Sequence, residues 1–176
     1  TNENINRMCS LRIGNDNLTN QAAAMVGDFG GIWWSSNGST YIKATKENVA
    51  AGWQDKFTKI NFYGCCQYVN MFNGNYGAYN FMVVGDGGII LSVYYNDATK
   101  LFNITEVQPY NEESITYRGV TMNTVNGANF FMCIVGDKNG NGNATVKIAY
   151  QPYGDTGSYP TLTDRSDNFA IKANAT

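Results

Sequence analysis

Apolar positions along the chain come in short runs separated by clusters of Asn, Gly, Ser and Asp, the pattern of short strands joined by tight turns. Three of the runs close on one string, two apolar residues followed by Gly-Asp: Met25-Val26-Gly27-Asp28, Val83-Val84-Gly85-Asp86 and Ile134-Val135-Gly136-Asp137. Upstream of each lies a second matching segment, beginning Ile5-Asn6-Arg7-Met8, Ile60-Asn61-Phe62-Tyr63 and Ile115-Thr116-Tyr117-Arg118. The three isoleucines stand 55 residues apart both times, so two landmarks keep one phase and the chain reads as a tandem repeat.

Each repeat predicts four strands. Strand A covers residues 5–13, 60–69 and 115–125, and an Asn- and Gly-rich turn follows it. Strand B covers 21–26, 79–84 and 129–135 and is apolar almost without a break, as expected of strands buried on both faces. A Gly- and Asp-containing turn leads to strand C at 31–35, 88–94 and 144–150, and a second reversal to strand D at 40–44, 100–105 and 158–163. No stretch keeps a helical period; residues 46–56 come nearest and Gly52 interrupts them. A four-stranded meander of this size has no core of its own, and radial stacking of such sheets supplies one. The expectation is an all-β chain of β-propeller blades, three four-stranded antiparallel repeats of about 55 residues. The blades fall at 5–45, 60–107 and 115–163 of a single repeat domain spanning 1–176, with a tail at 164–176.

The segments Gly27-Asp28-Phe29-Gly30-Gly31-Ile32-Trp33-Trp34-Ser35-Ser36-Asn37-Gly38 and Val84-Gly85-Asp86-Gly87-Gly88-Ile89-Ile90-Leu91-Ser92 resemble blades of the BNR/Asp-box superfamily, which includes sialidase-type and photosystem-II-assembly-factor-like propellers. Ser35-Ser36-Asn37-Gly38-Ser39-Thr40-Tyr41 is similar to the short form of that group's box, with Asn for Asp and Tyr for Trp. Asp155-Thr156-Gly157-Ser158-Tyr159 is a second, degenerate copy, and Tyr95-Asn96-Asp97-Ala98 in the middle repeat lacks the Gly. The resemblance implies blades whose ligands bind on the rim opposite these boxes.

Three blades do not close a ring, so the missing ones belong to another copy or to a longer chain. Ile171 lies 56 residues after Ile115, which places residues 169–173 where a fourth strand A would start. The expected partner is therefore a second copy, joined head to tail at the blade edges, or the rest of a parent chain; the start at Thr1 fits a processed product or a fragment.

Composition narrows the function classes. Charged residues are 15% of the chain against 43% hydrophobic, while Asn (24) and Gly (19) are abundant, so this is a folded, turn-rich chain. A net charge of −2 without a basic stripe argues against nucleic-acid binding, and no apolar run has membrane-spanning length. Cys9, Cys65, Cys66 and Cys133 fit no zinc spacing and read as small buried residues on inner strands, with disulfides permitted by the even number. Sequons at Asn17, Asn37, Asn103, Asn143 and Asn174 suggest a glycosylated chain at an extracellular or virion surface.

The candidate site follows from the repeat. Asp28, Asp86 and Asp137 fall on one rim, where loops also bring Trp53 and Arg165, and a ring of acids there could hold sugar hydroxyls or a cation. The structural alternative has each Asp capping the amides of its own turn. Trp34, Tyr95 and Tyr153 are candidate stacking platforms for sugar rings, with Trp33 and Tyr94 turned into the core. Asp137-Lys138-Asn139-Gly140-Asn141-Gly142 begins like a calcium loop, but Ile148 stands where the bidentate Glu belongs, so no cofactor is expected. There is no His, no Gly-x-Ser-x-Gly and no phosphate-binding loop. Arg7, Arg118 and Tyr63 fall near the channel, but four arginines in all make a poor sialidase cluster. The reading is a non-catalytic recognition or assembly module that binds carbohydrate or protein, of the kind found on phage or virion surfaces. A sialidase-like hydrolase fragment and a protein-assembly factor are the alternatives.

Overall fold

A computed structural model describes residues 3–11, 22–69, 76–111, 114–125, 129–151 and 162–166. It is all-β: three four-stranded antiparallel sheets, each a meander in chain order. Sheet one is β1 (Ile5–Leu11), β2 (Ala22–Gly27), β3 (Ile32–Ser35) and β4 (Ile42–Lys43). Sheet two is β5 (Phe62–Val69), β6 (Tyr76–Gly85), β7 (Ile90–Asn96) and β8 (Leu101–Gln108). Sheet three is β9 (Tyr117–Val125), β10 (Asn129–Lys138), β11 (Ala144–Gln151) and β12 (Thr163–Asp164). Strand C of the second repeat starts two residues later than the sequence pattern predicts. The reason is that Asp86–Gly88 forms a single 3₁₀ turn with Gly87 and Gly88 at φ 59° and 66°.

The first landmark is out of phase by two residues in repeat one. Gly27, Gly85 and Gly136 pair with Ile5, Phe62 and Tyr117, so these three are the equivalent positions, rather than Ile5, Ile60 and Ile115. The amides of Asp28, Asp86 and Asp137 repeat the relation, donating to the carbonyls of Asn4, Asn61 and Thr116 at 3.0–3.1 Å. Register in an antiparallel pair is fixed by the ladder, and a run of similar residues does not reveal it.

The sheets stack face to face in chain order through their first strands, β1 on β5 and β5 on β9. Strand alternation gives sheet two one set of side chains for each neighbour. Phe81, Val83, Leu91 and Val93 join Ala24, Val26, Ile32 and Trp34 of sheet one in the larger core. Met82, Val84 and Ile90 meet Met132, Ile134 and Ala149 of sheet three in the smaller one. The connector after β4 straps the two first sheets together. The Ala50 amide donates to the Phe102 carbonyl at 2.9 Å and the Phe102 amide to the Asn48 carbonyl at 2.7 Å, which covers part of the outer edge of β8.

All four cysteines are free thiols. Contact with the Cys9 thiol across the first interface, and then burial, push Cys65 far above the ordinary thiol range; burial raises Cys66 on the opposite face of β5. No helix among the described residues is long and apolar enough to cross a membrane.

Candidate functional site

Each sheet carries a β-bulge at the same place. The register slips between Ile5 and Arg7, between Phe62 and Gly64, and between Tyr117 and Gly119. Asn6, Tyr63 and Arg118 are the extra residues, and a bulge re-aims its side chain out of the ladder. All three turn to the rim that holds the Gly-Asp turns. The equivalent of Arg118 in sheet one is thus Asn6 and not Arg7, which corrects the expectation that two arginines repeat there.

The three aspartates expected on this rim meet these residues. Asp28 accepts hydrogen bonds from the side-chain amides of Asn4 and Asn6, both at 2.8 Å. Asn6 also donates to the Phe62 carbonyl of the next sheet at 2.9 Å. Asp86 accepts from the Asn61 amide at 3.2 Å and from the Thr116 hydroxyl of sheet three at 3.5 Å. Burial, and next the charge of Asp86, raise Tyr63 above the usual phenol range. Asp137 takes a two-pronged contact from Arg118, Nε at 2.8 Å and Nη2 at 2.7 Å. That pairing holds the Asp137 carboxyl below its ordinary range and keeps Arg118 charged. The guanidinium lies 4.3 Å from the Tyr63 ring centre, a cation–π contact joining sheets two and three. The aspartates are therefore held by side chains in or just before the first strands, and for Asp86 also by an amide 25 residues away, rather than, among the described residues, by the amides of their own turns.

Beside this row lies a cleft of about 560 Å³, within the size range of small-ligand sites. Its floor is Ile60 and Ile89, and its walls include Trp53, Lys56, Lys59, Glu106 and Tyr110. Tyr110 is exposed and seated on the Gly87 turn, where a Cβ would come within 2.5 Å of its ring. Trp53 is buried, with the Lys56 ammonium 5.7 Å from its ring centre. Two ion pairs frame the cleft, Lys46–Asp55 at 2.6 Å and Lys56–Glu106 at 3.7 Å. The first holds the Asp55 carboxyl below its ordinary value. Tyr110 and the lysines gave no signal in the repeat pattern, because they lie in the connectors.

The other expected residues divide. Arg165 is exposed just beyond β12, and its amide donates to the Val146 carbonyl at 2.8 Å, near the end of β11 that adjoins the Asp137 turn. Trp34 and Tyr95 were expected as exposed stacking platforms. Both are instead buried and stacked on each other across the first interface, ring centres 4.4 Å apart, with Phe102 against Tyr95 at 4.9 Å. Their neighbours face the other way: Trp33 is half-buried under Lys43, and Tyr94 is exposed. Alternation makes one of each pair inward, and only the sheet-to-sheet packing decides which. Tyr153 lies outside the described residues.

The turn after β3 is closed by its own polar groups. The Asn37 Oδ1 accepts from the amides of Ser39 and Thr40, and the Ser35 hydroxyl accepts from the Gly38 amide. Asn96 repeats this in sheet two toward Ala98 and Thr99, with Lys100 at φ 59° where a glycine would be easier. The degenerate copy at residues 155–159 lies outside the described residues. Among the sequons, Asn37 is exposed, Asn103 and Asn143 are half-buried, and Asn17 and Asn174 lie outside the described residues. In the loop that begins like a calcium site, Asn139 Oδ1 accepts from the amides of Asn141 and Asn143, and the Asp137 carboxylate is committed to Arg118. No group of three or more His, Cys, Asp or Glu that could hold a metal occurs among the described residues.

No family model matches the chain, and no curated protein or solved structure is significantly similar to it.

Proposed function

We propose that the chain is a non-catalytic recognition module whose three sheets act as propeller blades, binding a carbohydrate through the bulged rim and its cleft at an extracellular or virion surface. One observation carries the reading: among the described residues, Asp28, Asp86 and Asp137 of the rim and Asp55 of the cleft are already engaged as acceptors or ion pairs. Asp28 holds two amides, Asp86 an amide and a hydroxyl, Asp137 a guanidinium and Asp55 an ammonium. Asp137 and Asp55 shift downward, the opposite of what a proton-donating acid at neutral pH requires. The sialidase-like alternative is weakened further because Arg118 is spent on Asp137 rather than offered to a substrate carboxylate. Tyr110 and the cleft lysines supply an aromatic face and donors, the pairing that sugars favour.

The test is a glycan array followed by calorimetry on the strongest hit. Tyr110→Ala should weaken that binding about tenfold or more, with the fold intact, and a panel of chromogenic glycosides should show no turnover. Hydrolysis lost in Asp55→Asn or Glu106→Gln would overturn the non-catalytic reading. Specific capture of one protein with an empty glycan array would shift it to the assembly-factor reading.

A further inference from the structure

Every sheet of this molecule has a leading face, turned toward the next sheet in the chain, and a trailing face, turned toward the one before. The register makes their residues equivalent. On the leading face, Val26, Val84 and Val135 occupy one position, as do Ala24, Met82 and Cys133. On the trailing face, Ile5, Phe62 and Tyr117 occupy one position, and Met8, Cys65 and Val120 another.

At the end positions burial tracks whether a sheet packs on that face, although Val120, covered by sheet two, and Cys133, with no sheet beyond it, are both half-buried. Val26 and Val84, which have one, are 0% exposed; Val135, which has none, is 45% exposed. Phe62 and Tyr117 are 0% and 2% exposed; Ile5, with no sheet before it, is 56% exposed. Cys65 is 4% exposed and Met8 is 59% exposed. Among the described residues the molecule thus ends in two apolar faces on which no sheet packs, one leading and one trailing. They are the two halves of an interface it already builds twice.

We infer that the leading face of sheet three docks on the trailing face of sheet one in a second copy, so that two copies close head to tail. The complement of Val135 and Cys133 is a surface like the one that covers Val26 and Ala24, and this chain carries one at Ile5, Met8, Met25 and Trp33. Such a contact joins two different patches, so it continues until the ring closes. Two copies of three sheets give six, inside the range of four to eight blades at which propellers close. The inference rests on the blade reading above but not on what the rim binds. A monomeric chain that still binds a glycan would sink this proposal alone, and a dimer that binds none would sink the other.

Light scattering after size exclusion decides it. The wild-type chain should show about twice its 19.4 kDa mass. Met8→Asp and Val135→Asp each bury a carboxylate in the contact and should raise the dissociation constant at least about a hundredfold. Both side chains are exposed in the single copy, so both variants should keep the wild-type circular dichroism spectrum. Mixed in equal amounts, the two variants should recover a dimer, since each supplies the face the other has lost and one unaltered interface remains. A wild-type mass of 19.4 kDa at all concentrations overturns the proposal. So does association that survives both substitutions. If only one substitution breaks the dimer and mixing does not restore it, two like faces pair and the head-to-tail contact is wrong.

Discussion

Replacing Gly64 by alanine asks whether sheets two and three stack as closely as their first strands imply. A Cβ at Gly64 would lie 2.9 Å from the Cα of Gly119 and 3.2 Å from the amide nitrogen of Val120, both backbone atoms of the next sheet. It would also lie 2.8 Å from Cγ2 of Val84, which is fully buried. The β9 backbone is held by its ladder to β10, so the two sheets must part. Overpacking of this kind costs about 1–3 kcal/mol. Gly64 is not at positive φ, so alanine returns about 0.4–1 kcal/mol by restricting the unfolded chain. The expected net loss is about 1–2 kcal/mol. Gly119 is the equivalent residue of sheet three and provides the internal control. A Cβ there meets Cγ2 of Val135 at 3.1 Å, and that half-exposed side chain can turn away. Gly119→Ala should therefore stay within about 0.5 kcal/mol of wild type in dilute solution. If a second copy covers sheet three, its added methyl meets that copy's β1 instead and weakens association while sparing the monomer. Urea unfolding followed by circular dichroism measures both, read as a change in midpoint at constant slope. Equal midpoints for the two variants, or a Gly64→Ala midpoint at the wild-type value, would refute the stacking of β5 on β9.

Two further outcomes follow from the packing and the rim. Tyr95→Ala removes one of the largest fully buried side chains and should cost about 3–5 kcal/mol in the same unfolding experiment; a double-mutant cycle with Trp34 should return a coupling of about 0.5–1.5 kcal/mol, and a loss under about 1 kcal/mol would mean that the ring stands in solvent. Because Arg118 depresses the Asp137 carboxyl, its stabilising contribution is present above the unfolded value of about 3.9 and fades as pH falls through the lower folded value. Both groups are about half exposed, so the effect should stay below about 1 kcal/mol and shrink with salt. Asp137→Asn should flatten the stability profile in that acid range, and an unchanged profile would show the pair to be idle.

Much of the fold was legible because strands and turns are local. Glycines and asparagines mark reversals wherever the chain must turn, and apolar runs between them are short, so the number of sheets and their strand order follow from spacing alone. The candidate site was legible only in part. Asp28, Asp86 and Asp137 fall on one rim because they end equivalent strands. Their partners Asn6, Tyr63 and Arg118 were hidden, because a bulge shifts the register by one residue and leaves no mark in composition. Tyr110 and the cleft lysines were hidden because connectors obey no period.

The amino-acid order by itself determined that this chain makes three similar four-stranded sheets, since β-propensity and turn chemistry act within a few residues. The stacking of those sheets decided the rest. It chose which of Trp33 and Trp34, or of Tyr94 and Tyr95, faces inward, and it left Ile5, Met8 and Val135 in solvent where their equivalents are covered. A strand presents two faces of nearly equal apolarity, and only a neighbouring sheet can tell them apart.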